Sequence, residues 1–380
     1  GDINLAFGVQ NTLPTSLQYI PALAGLRLKS DIDYSTTLIA MHNIDVAIAG
    51  GRISGDVQLS GPDYKTVAGI VTVAGVQVED ADSKEATLNQ PWSKQNFHPL
   101  PTSGMQGSLD LEIKSLSYKG QDVSDSKGKL SFTDNGVDAS FTKLTLNKAP
   151  AKFAFSVEDA ASVRKFDMAF DATSIRMAPL LKSLTGSIVT DGIAELSFDA
   201  RGSGKSAFDL VSSLKGQGKM HATAGTFKFM DLSKLVGVLR NPASAVTAIQ
   251  SIGGMLGKGN TSFSQLDGTM VMDKGILTLT SLKGSGDWGT MDITGPVNLV
   301  NETMNLNGAI ALSQPQDVPE IGMSFTGPIT QPRKKFQTQT LLRYVLTKVN
   351  ILRQQDAQDA TQNPVSPAED LVGKAFDFLG

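Results

Sequence analysis

Short runs that alternate apolar and polar residues recur along most of the chain, and they restrict its fold more than any other feature. In residues 194–200, Ala194, Leu196, Phe198 and Ala200 share one phase, while Glu195, Ser197 and Asp199 share the other. The same period of two places Leu109, Leu111 and Ile113 together. It does so again for Phe166, Met168 and Phe170, and for Met304, Leu306, Ile310 and Leu312. A period of two is the signature of a strand with one apolar and one polar face. Asp134-Asn135-Gly136, Asp273-Lys274-Gly275, Lys283-Gly284-Ser285-Gly286 and Asn301-Glu302 read as turns between such runs. Roughly sixteen strands in an antiparallel meander follow from this spacing. At ~4.8 Å per strand they would form a single sheet on the order of 70 Å long.

Helical spacing is confined to short pieces. Residues 177–185 and 206–214 each suit one short helix. Residues 231–257 suit two, broken at Asn241-Pro242, where Asn caps and Pro occupies the first helical position. The first of these two carries Leu232, Leu235, Val236 and Leu239 on one stripe. The helices at 206–214 and 231–257 are expected to cover an edge or an end of the groove that the sheet would form, since an uncovered edge invites aggregation. Residues 80–103 lack either period and contain Pro91, Pro99 and Pro101, which reads as a long loop. Residues 333–353 hold Arg333, Lys334, Lys335, Arg343, Lys348 and Arg353 without an acid, and suit a basic amphipathic helix. A polar linker follows, and Ser366, Pro367 and Glu369 open a final helix with a capping box. The expected organisation is therefore 1–175, the first part of the sheet; 176–332, its helix-bearing continuation; and 333–380, the C-terminal helices.

Composition narrows the function. Net charge is −3, so a general nucleic-acid footprint is not expected. The chain has no cysteine, which removes disulfides and thiolate chemistry. His42, His98 and His221 stand apart without metal-ligand spacing, so no metal site is expected. The Gly-rich stretches 216–221 and 284–289 lie between strands, where hairpin turns suit them better than phosphate cradles. Carboxylates such as Glu195 and Asp199 alternate outward and suit a solvated face. The residues point to a non-catalytic protein without cofactors. No apolar run reaches the ~18 residues that span a bilayer. The start at Gly1, already in alternation, suits a fragment whose upstream segment is missing.

Residues 192–236, "GIAELSFDARGSGKSAFDLVSSLKGQGKMHATAGTFKFMDLSKLV", resemble the AsmA family of Gram-negative envelope proteins. The strand at Gly192, the "GSGKS" stretch, the short helix ending in "SLKGQG" and the "MDLSKLV" segment follow the family's order. Residues 261–312, with "DKGILT" and "ITGPVNL", and 323–332, "MSFTGPITQP", are similar to its following strands, and 46–61 are similar to an earlier repeat. The resemblance implies a mainly β fold: an elongated, curled antiparallel sheet forming a groove, with a few short capping helices, as in TamB-like lipid transfer proteins. It implies a periplasmic groove that binds phospholipid and moves it between inner and outer membrane, anchored by an upstream helix. The alternative is a non-transporting scaffold that aids outer-membrane protein assembly.

An apolar strand face must be buried. It can pack on a second layer as an ordinary core, or line a groove filled by something else. In the groove reading, Leu109, Leu111, Ile113, Leu196, Phe198, Met270, Met272, Leu277, Leu279, Met291, Ile293, Met304 and Leu306 are the lining. Acyl chains would gain about 0.8 kcal/mol per methylene against it. Arg343, Lys348 and Arg353 would meet anionic headgroups or a membrane surface.

Overall fold

The computed structural model describes residues 27–362, apart from 49, 79–90, 101, 103, 119, 161–162, 186–187 and 241–244. The final helix expected at 366–380 lies outside the described residues. The described chain is built on one sheet of 18 strands that does not close into a barrel. Strands β1 (Arg27–Tyr34), β2 (Leu38–Ile48), β3 (Gly51–Ser60) and β4 (Thr66–Ala74) pair in sequence order, antiparallel. Short β5 (Val76–Val78) follows, and then the chain departs from a simple meander. Strand β6 (Gln106–Tyr118) pairs parallel to both β4 and β5, so the sheet is mixed and not wholly antiparallel. A parallel return needs a crossover of a dozen or more residues, and the aperiodic stretch before β6 supplies it.

From β6 onward the meander runs unbroken through β7 (Gln121–Thr133), β8 (Gly136–Leu146), β9 (Ala149–Ala160), β10 (Val163–Arg176), β11 (Thr190–Gly204) and β12 (Lys215–Phe227). It continues as β13 (Thr261–Asp273), β14 (Ile276–Gly286), β15 (Gly289–Asn298), β16 (Thr303–Leu312), β17 (Ile321–Pro328) and β18 (Arg333–Gln337). Connections therefore alternate between two rims. One rim carries helix α1 (Met177–Thr185) after β10, α3 (Leu232–Arg240) and α4 (Ala245–Gly257) after β12, and α5 (Gln339–Gln362) after β18. The opposite rim carries α2 (Ala207–Ser213) between β11 and β12.

The sheet curls. Phe229 follows β12 and Phe325 lies in β17, with four strands between them, yet their rings stand 5.7 Å apart, edge to face. Four intervening strands on a flat sheet would keep them more than about 20 Å apart. The concave face is apolar, and the convex face carries cross-strand ion pairs such as Lys129–Asp110, Lys127–Glu112 and His221–Asp267.

Three sequence expectations need correction. Residues 333–337 form the edge strand β18, and the helix begins only at Gln339 and runs on to Gln362 through the expected linker. Lys283, Gly284, Ser285 and Gly286 are not a turn but the end of β14; the turn falls at Asp287-Trp288. Gly284 faces inward, where an added Cβ would lie 3.3 Å from both Met291 Cε and Phe227 Cζ. Its lack of a side chain, not its flexibility, is what the position uses. Finally, residues 216–221 are not a hairpin turn but lie within β12.

Candidate functional site

Strand register identifies which side chains share the concave face. Paired residues of neighbouring strands point the same way. Leu109 pairs with Leu130, Leu130 with Ala139, Ala139 with Phe155, and Phe155 with Met168. Phe170 pairs with Phe198, Phe198 with Gly218, Gly218 with Met270, and Met270 with Leu279. Met272, Leu277, Val297 and Met304 form the next row. Leu196, Ile293 and Leu306, with Leu111, Ile113 and Met291, fall on the same face by the same pairings. The structure thus brings together every residue read as lining, and sends Glu195, Ser197 and Asp199 to the exposed convex side.

The face is not uniform along the strands. Nearest the helical rim, Ala194, Ala222, Leu266, Met291, Ile310 and Ile321 form a continuous row across β11–β17, each at most 2 % exposed. Helices α3 and α4 cover it, with Leu232, Leu235, Val236, Leu239, Ile252, Met255 and Leu256 in the same buried cluster. Leu341 and Val345 of α5 complete that cluster. The helix start is fixed by Thr261 at the head of β13, whose Oγ1 accepts from Leu232 N–H at 2.9 Å and donates to the Met230 carbonyl at 2.7 Å. Asp231 caps α3 through a hydrogen bond from Lys234 N–H. Aromatic rings fill the rest: Phe227 sits 4.8 Å from Phe263 and 6.5 Å from Trp288, whose indole donates to the Ser262 carbonyl. Met291 and Ile293 therefore belong to a packed core and do not line an open space. Leu196 and Leu306 pack against its border, while Met272 and Ile113 are buried outside it.

Two rows further from the helical rim than Ala194, the cover ends. Phe198, Met270, Leu277, Leu279 and Met304 are only partly buried. The same holds through the first half of the sheet, where Leu109, Leu111, Leu130, Phe141, Phe153 and Phe155 are partly buried with no helix of the described residues over them. Four of the rings there form a row: Phe141 to Phe153 at 6.3 Å, Phe153 to Phe155 at 6.2 Å, and Phe155 to Phe166 at 6.2 Å. Phe141, Phe153 and Phe155 were not among the residues singled out from the sequence, although the alternation in 151–157 contains the signal.

The rim opposite the helices carries a strap, residues 91–105. The Trp92 indole donates to the Leu299 carbonyl at 2.8 Å, beyond β15. Phe208 N–H donates to the Ser93 carbonyl and Phe97 N–H to that of Lys205, both beside α2. Leu100 N–H donates to Asp159 Oδ2 at 2.9 Å, and Gly104 N–H to the Asp134 carbonyl. The strap thus runs from the β15–β16 turn back to the β7–β8 turn. Arg164 bolts its middle: Nε and Nη2 donate to the two oxygens of Asp159 at 2.7 and 3.0 Å, and Nη2 also to the His98 carbonyl at 2.7 Å. The Arg164 hydrogen bonds, helped by that from Leu100, hold the Asp159 carboxyl below the usual carboxylate range.

The basic residues expected to meet headgroups fare differently. Lys348 is paired with Asp317, which also accepts from the Tyr344 hydroxyl at 2.9 Å. That pairing lowers the Asp317 carboxyl, while burial and the bond to Asp317 push the Tyr344 hydroxyl up to about 12. Arg343 is exposed, as are Ile351 and Leu352. The side chain of Arg353 lies outside the described residues. Among the described residues there is no cluster of three or more metal-ligating side chains, and no helix long and apolar enough to cross a membrane.

A long curled sheet with a few short helices is what the family resemblance implied, and the family model tests that resemblance. The AsmA family model matches residues 71–282, more than half of the chain. The chain belongs to the AsmA family. The matched span runs from β4 to β14 and so includes the strap and the helices that cover the concave face; it starts earlier and ends earlier than the stretch 176–332 in which the resemblance is densest. No curated protein and no solved structure shows significant similarity to this AsmA family chain.

Proposed function

We propose that this chain binds phospholipid by its acyl chains along the uncovered part of the concave face, and that it contributes in this way to phospholipid transport between inner and outer membrane and to outer-membrane upkeep. The observation that carries the reading is the two adjoining rows of partly buried leucines, methionines and phenylalanines, Leu109 to Met168 and Phe170 to Leu279, which no described helix covers and which the strap roofs only around Phe155. Cross-strand ion pairs such as Lys127–Glu112 and Lys129–Asp110 lie on the opposite face, so these rows offer hydrocarbon contact and the headgroup stays in water. In this reading the protein binds and guides, without catalysis and without a cofactor. It works in the periplasm, tethered to the inner membrane by an upstream helix. Arg343, with Ile351 and Leu352 near it on α5, is the part of the C-terminal helix left for a membrane surface, because Lys348 already serves Asp317.

A second reading draws on the covered rows. Where Trp288, Phe227 and Phe263 fill the face, the sheet has a conventional core, as a non-transporting scaffold for outer-membrane protein assembly would. Native mass spectrometry of the purified chain separates the two. The transport reading expects co-purified diacyl phospholipid that leaves when detergent competes for the groove. A chain that is folded and carries no lipid, even after incubation with phospholipid vesicles, favours the scaffold.

A further inference from the structure

Beneath the middle of the strap lies a cavity of about 380 Å³. Phe97 and Leu100 of the strap close it on one side, Val157 and Phe166 of β9 and β10 form its floor, and Leu210 of α2 walls one end. Arg164 is the charged residue in the wall, and its charge is already spent. The guanidinium is held by both oxygens of Asp159 and by the His98 carbonyl, and it lies 4.8 Å from the centre of the Phe97 ring. A phosphate or carboxylate entering here would have to displace a partner that two hydrogen bonds and a backbone N–H already fix. The chemistry rejects a headgroup and suits hydrocarbon. The space suits the end of an alkyl chain.

The cavity is also the end of a path. Phe166, in its floor, closes the aromatic row that begins at Phe141 on the uncovered face. A chain lying along that row arrives under the strap. We propose that this cavity is an alkyl-chain terminus site: it receives the methyl end of one acyl chain and so orients the bound amphiphile with its headgroup away from the strap. The proposal rests on the lipid-groove reading and adds to it a fixed polarity.

The test uses the full chain and two palmitate probes, one with a diazirine near the methyl end and one with a diazirine beside the carboxylate. After illumination, tryptic peptides are mapped by mass spectrometry. The expected result is that the methyl-end probe labels Phe97, Leu100 and Val157, sited by fragmentation of peptides 95–114 and 153–164, several-fold more than the carboxylate-side probe does. Leu210→Trp, which fills the cavity, should reduce that labelling several-fold and leave the melting temperature the same or higher. Equal labelling of these peptides by both probes overturns the fixed polarity. Labelling of peptides 183–201 and 275–283 without the strap peptides overturns the cavity assignment and leaves the groove standing. Absence of label from the concave face altogether overturns both.

Discussion

Strands β6–β9 and strands β11–β17 have the same alternation and the same concave apolar face, yet one has no described helix over it and the other is a core. The strands do not make this difference; the connections do. At the helical rim, β8 and β9 are joined by the two-residue turn Asn147-Lys148, both at positive φ, which leaves nothing to fold back. On the same rim, the connection after β12 holds α3 and α4, and their apolar stripes close over the row from Ala194 to Ile321. Whether a β-face becomes groove or core is thus set by the length and amphipathicity of alternate loops.

The comparison predicts unequal costs for equal truncations. Leu266→Ala, in the covered row, should cost about 2–5 kcal/mol, as buried leucines do. Leu130→Ala, on the face without helices, should cost less, about 1–2 kcal/mol, because that side chain is only partly buried and no packed layer closes over it to leave a cavity. Urea denaturation followed by circular dichroism gives both; equal losses would break the distinction between the two regions.

Overpacking sharpens it from the other side. Gly284→Val puts methyl groups against Met291 and Phe227, which are already in contact range of a Cβ. A loss of about 1–3 kcal/mol is expected, the usual cost of extra carbons in a full core. A neutral result would mean that the helix-covered rows are loosely filled.

The strap should be the pH-sensitive part. Asp159 is held below its ordinary range by Arg164, so its contribution is complete above the unfolded carboxyl value of about 4 and is lost as pH falls through the lower folded value. Side chains that remain partly exposed keep this to about 1 kcal/mol or less. Trypsin cleavage after Lys94 should therefore quicken in Asp159→Asn at neutral pH, while the global unfolding midpoint barely moves. A strap that resists trypsin equally in the variant would show that Phe97 and Leu100 alone hold it. The smallest effect belongs to the convex face: His221→Gln removes the partner that lowers Asp267, and should change stability by no more than about 0.5 kcal/mol in the same urea titration.

Much of this was legible in the sequence, because a period of two survives in any register. The helix at 177–185 matches α1 residue for residue, and the lining residues from Leu109 to Leu306 do share a face. What was not legible depends on long-range partners. The parallel pairing of β4 with β6 leaves no local mark, since β6 alternates like any other strand. Residues 91–100 read as an aperiodic loop because their hydrogen bonds go to Leu299, Lys205 and Asp159, far along the chain. Gly284 looked like a turn because local signals cannot separate a glycine that bends from one that makes room. The basic run Arg333, Lys334 and Lys335 read as helix because charge has no period; in the fold it protects an edge strand.

The central claim is that the uncovered half of the concave face holds lipid and the helix-covered half does not. Photocrosslinking with benzoylphenylalanine tests it with aromatic-for-aromatic exchanges, at Phe141 and Phe153 in the first region and at Phe263 and Trp288 in the second. The chain should be purified from membranes under illumination, with Glu195 on the convex face as the control position. The account predicts phospholipid adducts at Phe141 and Phe153 and none at Phe263, Trp288 or Glu195. Adducts at Phe263 and Trp288, or labelling at Phe141 and Phe153 no greater than at the Glu195 control, would contradict it.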